Sequence, residues 1–278
     1  MIESTELPIL QMHLTEALLP HEECDPRRVE LLSQRILKEG LLKNPPVVSQ
    51  IPGTDRFVVL DGANRTMAFR ALKIPHIVAQ VVSYNDPGVK IDTWYHVVAG
   101  MDIETFESAL KEIAGMQVEV CSLTEARRAL ETGEAIAYIV REHKIRKVFP
   151  SHLSEYHDLR ILNDIVGAYK GRADIFRASN DEWEKQSPYY PGITAVVVFP
   201  PYEPDDILSA VKNGYKIPSG VTRHIIPFRA VNINIPLDIL NAEGTLATKR
   251  EWLQDWWMER MAANAIRFYA EPTFSFNE

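Results

Sequence analysis

Apolar residues recur at helical spacing in PRRVELLSQRILKEG, at Val29, Leu32 and Ile36, with Asp25 and Pro26 as a start signal and Gly40 as a stop. A helix over 26–39 is predicted, since a short polar N-cap, a proline in the first turn and a glycine past the end are the ordinary boundary residues. The period then shortens. PPVVSQ and RFVVL are β-branched runs on either side of IPGTD, whose Pro-Gly pair suits a turn, so two adjacent strands are predicted, the second ending at Asp61-Gly62. ANRTMAFRALK (63–73) reads as a helix with Met67, Ala71 and Leu72 inward, stopped before Pro75, and ILQMHL (8–13) and HIVAQVV (76–82) read as strands. Further on, helices are predicted over 103–113, 123–131, 156–169 and 203–214, with strands over 135–140 and 193–199. IPSGVTRH (217–224) reads as a loop, AVNINIPL (230–237) as a strand, and 249–269 as a helix with Trp252, Trp256 and Met261 near one face.

This alternation describes an α/β (α+β) chain, and no internal repeat interrupts it. At 278 residues it sits near the upper size for one core, so either one large domain or two closely packed lobes is expected. The reading adopted is a domain over 1–90, a second α/β lobe over 91–241 and a helical extension over 242–278. A net charge of −8, with no local basic cluster, disfavours binding nucleic acid through phosphate neutralisation. Cys24 and Cys121 are far apart, which gives neither a disulfide framework nor a thiolate metal site and fits a reducing, cytoplasmic compartment. The acidic N-terminus MIESTELPIL is unlike a signal peptide, and no apolar run is long enough to span a bilayer.

Four places could carry chemistry. Asp61-Gly62-Ala63-Asn64-Arg65 runs from a strand through a glycine into a helix, where unpaired first-turn N–H groups, the helix dipole and the Arg65 guanidinium would suit phosphate; the plainer alternative is a helix cap. Walker A and GxGxxG patterns are absent. Glu22 lies at a strand-to-helix corner and could act as a general base or merely face the helix dipole, and neighbouring His21 reads as structural. Thr222-Arg223-His224 could face a phosphate from a loop or form an exposed turn, and Trp94 reads as core rather than as a substrate platform.

Beyond these local readings, Leu19 to Val82 resembles the N-terminal domain of the ParB/sulfiredoxin fold, and DGANRTMAFRAL is similar to its phosphate-binding GxxRxxA signature at Gly62, Arg65 and Met67-Ala68. Pro20-His21-Glu22, Asp61-Gly62-x-x-Arg65, Thr93-Trp94 and Thr222-Arg223-His224 occur in the order found in the free-serine kinases of that fold. The segment GVTRHIIPFRAVNINIPLDIL is similar to the serine kinase of siderophore-precursor pathways. The resemblance implies phosphoryl transfer from ATP or ADP to the hydroxyl of free L-serine. Glu22 would be the catalytic base and Asp61 the second carboxylate, orienting Mg²⁺ or the substrate ammonium. Gly62, Ala63, Asn64 and Arg65 would hold the nucleotide phosphates, Trp94 would line the amino-acid pocket, and Thr222, Arg223 and His224 would reach across a cleft to the phosphates.

Members of the family often carry His where Ala63 and Asn64 stand here, which leaves the donor nucleotide open between ATP and ADP. Sulfiredoxin chemistry is rejected, because the loop holds no cysteine. Two alternatives stay beside the kinase reading: a ParB-like, nucleotide-responsive DNA-binding regulator, and a kinase of threonine or homoserine, since one methyl or methylene changes pocket affinity by only about 1–3 kcal/mol. The Trp-rich tail reads as core packing or as a homodimer contact.

Overall fold

The computed structural model describes residues 7–151 and 157–269. In chain order its elements are β1 (Ile9–Leu14), β2 (Leu18–Pro20), α1 (Pro26–Glu39), β3 (Leu41–Leu42), β4 (Val47–Gln50), β5 (Phe57–Asp61), α2 (Ala63–Ala71) and β6 (His76–Val81). Next come β7 (Lys90–Thr93), β8 (Tyr95–Ala99), α3 (Ile103–Lys111), β9 (Met116–Cys121), α4 (Leu123–Glu131), β10 (Ala137–Arg141), β11 (Lys144–Pro150) and α5 (His157–Tyr169). The last are β12 (Asp174–Ala178), α6 (Trp183–Gln186), β13 (Ile193–Val198), α7 (Pro204–Lys212), β14 (Thr222–Ile225), β15 (Ile235–Pro236), α8 (Leu237–Asn241) and α9 (Leu246–Ala262). The expected α/β class is what the chain adopts. The acidic residues 1–6, the expected helix start at Tyr156 and the chain beyond 269 lie outside the described residues.

Two compact units form. Unit one takes the chain up to Leu19, Pro26–Val89 and the chain from Ile226, and unit two takes Pro20–Asp25 with Lys90–Ile225. Unit one holds a five-stranded sheet in the order β1-β6-β4-β5-β2. Its β1 and β6 run antiparallel with Met12 opposite Val78, and β4 pairs parallel with β6 and antiparallel with β5. Met12, Val48, Val59, Phe69 and Ile77 fill its core. The fully buried residues of α2 are Thr66, Ala68 and Phe69; of the three expected inward, Leu72 does pack against the core, Met67 is half-buried and Ala71 is exposed. The bulkiest apolar side chain of the helix, Phe69, sets the helix rotation, because burying it removes the most apolar area from water.

The tail is not a separate extension. Leu240 and Leu253 are buried in the core of unit one, with Trp252 and Trp256 packed against it, whereas Met261 is largely exposed and the helix stops at Ala262. AVNINIPL forms no long strand: Asn232 and Asn234 take positive φ angles of 54° and 52°, which break an extended run, and only Ile235–Pro236 pairs, with β3.

Unit two holds a six-stranded sheet in the order β12-β8-β13-β10-β11-β9. Val97, Tyr138, Val140, Val196 and Val198 pack on one of its cores. Its helices start where the sequence offers caps: Asp102 accepts the Thr105 N–H, and Ser122 forms a reciprocal capping box with Glu125. Asp181, buried beneath α4, accepts two bonds from Arg127 and one from the Tyr138 hydroxyl. Burial would raise its carboxyl, but those donors outweigh it and hold the group below the usual range. Among the described residues no helix is long and apolar enough to cross a membrane.

Candidate active site

The candidate residues fall into two sets, one in each unit. In unit one, β5 ends at Asp61 and the chain turns through Gly62 into α2. Gly62 sits at φ +90°, in the left-handed region that a side chain disfavours. A Cβ there would lie 3.0 Å from the Cα and Cβ of Pro46 and from an Arg65 guanidinium nitrogen, so only glycine fits. Gly62 caps α2 without a side-chain bond, and its carbonyl accepts the Thr66 N–H at 2.9 Å. The first turn therefore presents backbone N–H groups and the positive end of the helix dipole beside Arg65, a geometry suited to an anion. Asp61 is about half exposed, and one of its oxygens, Oδ2, accepts a bond from Arg229.

In unit two, Glu22 is gripped by the segment 220–222. Its Oε2 accepts the Gly220 N–H at 2.9 Å, and its Oε1 accepts the Thr222 N–H at 2.8 Å and the Thr222 hydroxyl. The carboxylate is 15% exposed, so it is oriented yet reachable. Thr222 is not in a loop as expected. It opens β14, which pairs antiparallel with β7 so that Thr222 faces Thr93 and Arg223 faces Asp92. The alternation of Val221, Arg223 and Ile225 with Thr222 and His224 is too short to stand out as a strand in isolation. Trp94 is partly exposed rather than core, and the Arg223 guanidinium lies over its ring at 4.4 Å, held also by Asp92 at 3.8 Å. His21, read as structural, is 3% exposed, bonds the Thr222 hydroxyl through Nε2 at 2.7 Å and meets the His224 ring edge-on at 5.0 Å. Since the Thr222 hydroxyl donates to Glu22, it accepts from His21, which fixes Nε2 as the protonated nitrogen.

No protein-family model matches the chain. It is 28% identical over 233 residues to the ATP-dependent L-serine kinase of Staphylothermus marinus, an alignment covering 81% of this chain and 88% of that protein. It is 23% identical over 226 residues to the ADP-dependent L-serine kinase of Thermococcus kodakarensis, covering 81% and 90%. A solved structure of a free serine kinase in complex with AMP superposes with a TM-score of 0.72 at 20% identity, covering 84% of this chain and 94% of that one. This chain is a relative of the L-serine kinases. It shares the fold of that solved structure over most of its length.

Three residues of this kinase relative escaped the sequence reading. Arg229 pairs with Asp61 across 168 positions, a distance no local pattern can bridge. We expect Arg229→Gln to raise the nucleotide KM about two- to fivefold, a fraction of the worth of a charge-assisted bond; an unchanged KM would leave Arg229 a surface ion-pair partner. Lys170, just past α5, donates to the Ser219 hydroxyl at 2.9 Å and steadies the start of the Glu22-gripping segment.

His96 is the third. Its ring is 1% exposed, and it receives the Tyr169 O–H on Nδ1 at 2.8 Å and donates from Nε2 to the Gly220 carbonyl at 3.2 Å. Gly220, whose N–H holds Glu22, is thus also anchored through its carbonyl, in the next peptide along. Burial lowers the His96 imidazole to about 4, with Arg177 and Lys170 adding to that effect against the Gly220 bond. In unit one, burial and then Arg250 lower His13 to about 4 as well. The unfolded chain takes up protons at these histidines near pH 6.5, whereas the fold resists until about 4, so stability is complete above 6.5 and declines as pH falls through that window. A urea midpoint that stayed flat from pH 7 to pH 5 would show that the neutral rings are not required.

Proposed function

We propose that this chain is a nucleotide-dependent kinase of free L-serine, making O-phospho-L-serine from ATP or ADP. The likeness to the L-serine kinases over four-fifths of the chain carries this reading; the geometry suggests the roles. Glu22, a pre-oriented and reachable carboxylate, takes the proton of the serine hydroxyl as its oxygen bonds to the terminal phosphorus and the bond from that phosphorus to the nucleotide's bridging oxygen breaks. The N–H groups of Gly62, Ala63, Asn64 and Arg65, with the Arg65 guanidinium, hold phosphate oxygens. Trp94 borders the amino-acid pocket, and Thr222, Arg223 and His224 are phosphate-facing residues of unit two, Thr222 also orienting Glu22.

Among the described residues there is no group of three or more His, Cys, Asp or Glu side chains that would cage a metal. Mg²⁺ is commonly held through one or two carboxylates together with nucleotide phosphates and water. Asp61 is the carboxylate that would hold it, and Arg229 engages its Oδ2. Bound there, Mg²⁺ would neutralise charge on the phosphate oxygens. In this scheme the phosphate-holding turn belongs to unit one and Glu22, Trp94 and Thr222–His224 to unit two, with the tail contributing packing to unit one rather than chemistry.

The deciding experiment incubates purified protein with Mg²⁺, L-serine and either ATP or ADP and detects O-phosphoserine by mass, with threonine and homoserine in parallel. Phosphoserine from one donor establishes the reaction and names the nucleotide. Phosphorylation of threonine or homoserine alone moves the acceptor, and no product from any pair overturns the kinase reading.

A further inference from the structure

Unit two contains a cavity of about 320 Å³ that the proposed reaction does not use. Its walls are largely apolar, with Leu130, Ile136, Leu159 and Leu162 among them. Four groups of another character interrupt that lining: the carboxylates of Asp158 and Asp206, the phenol of Tyr202 and the hydroxyl of Ser209. Tyr202 is 8% exposed, and among the described residues its hydroxyl has no hydrogen-bond partner. The charges that act on that hydroxyl, Glu22, Asp206 and Asp158, are all negative. A buried hydroxyl is normally paired, because leaving it unpaired forfeits its bonds to water without replacement. None of the described residues lining the cavity is basic.

We propose that this cavity binds a small organic ammonium ion: a primary amine on a short aliphatic body. The Tyr202 oxygen accepts one ammonium N–H, Asp158 and Asp206 balance the charge, and the hydrocarbon lies against the leucine and isoleucine walls. A free amino acid is the wrong ligand here, because its carboxylate would face two carboxylates with no cation to offset them. The site is thus distinct from the serine pocket assigned to Trp94, which does not line the cavity. It is nonetheless close to the chemistry. Ile217, another lining residue, donates its N–H to the His21 carbonyl at 2.8 Å and accepts the Glu23 N–H at 2.9 Å, bracketing Glu22.

The test titrates the full chain with n-butylammonium chloride, n-butanol and sodium butyrate at about 150 mM salt, where loose surface attraction is screened, and follows binding by saturation-transfer NMR. Saturable binding of the ammonium alone is expected, weakened at least threefold by Tyr202→Phe and by Asp206→Asn. Tyr202→Phe keeps the ring and removes only the oxygen, so its fold is checked by its melting temperature. Equal binding of n-butanol, no binding of n-butylammonium, or binding unchanged in Tyr202→Phe would each overturn the proposal. The readout is independent of phosphoserine formation, so it stands or falls separately from the kinase reading.

Discussion

Exchanging Glu22 for Gln lowers kcat for phosphoserine formation by about 10²–10⁴-fold, the usual worth of a positioned general base, while the nucleotide affinity stays within about twofold because no phosphate ligand is lost. The grip on the side chain sharpens this expectation. Both carboxylate oxygens accept backbone N–H bonds, Oε2 from Gly220 and Oε1 from Thr222. An amide has one accepting oxygen, so its NH₂ would face one of those N–H groups and turn away. Glu22→Gln therefore loses the base and one of its two anchors. Glu22→Asp keeps the charge but withdraws it by one methylene, and should recover part of the rate. Single-turnover product formation alongside a nucleotide titration measures both quantities; a Gln variant with unchanged kcat removes Glu22 from the proton transfer.

Gly62→Ala is the second large effect, and it should appear in the opposite parameter. The new Cβ meets the Pro46 backbone and Arg65 at 3.0 Å while the residue is held at φ +90°. A non-glycine residue in a disfavoured region costs about 1–3 kcal/mol, and the turn relieves both strains only by shifting the N–H groups that would face phosphate. The nucleotide KM should rise tenfold or more, with kcat at saturating nucleotide changed far less. Gly53→Ala is the matched control. It too has a positive φ, +78°, but nothing lies within 4 Å of its added Cβ, so it should cost stability and leave the KM alone. Equal KM values in the two variants would show that the turn at Gly62 does not position the nucleotide.

The sequence was most legible where one short stretch contains its whole explanation. The helix at 26–39 carries its apolar stripe and its stop within itself, and the turn at 61–65 declares its geometry through one glycine. Strands β8, β9, β11 and β12 were unread because their character comes from partners. Strand β9 lies at a sheet edge with Val118 and Val120 exposed, so its residues show no buried alternation. On α2, Phe69 is fully buried while Ala71 is exposed, because a ring buries far more apolar area than a methyl, a difference that spacing alone does not register. At the candidate site, Glu22, Gly62 and Arg223 are suggested by the chain itself and by the resemblance. Arg229 and His96 were not, since each acts on a partner more than a hundred positions away: Arg229 on Asp61, and His96 on Gly220.

Pro20–Asp25 belongs to unit two although the chain on both sides of it belongs to unit one. The hexapeptide is tied there by Glu22 bonds to Gly220 and Thr222, which stand 198 and 200 positions away. Closing so long a loop is entropically costly, and such non-local contacts form after local ones in folding. Refolding should therefore restore the helical signal before turnover, with Glu22 the late arrival. By the same reasoning, mild denaturant should release this short crossing before either core opens. A fragment cut at the 89/90 boundary would carry Glu22 on a strand end with nothing to hold it, so the two units cannot be separated by a single cut and each remain whole.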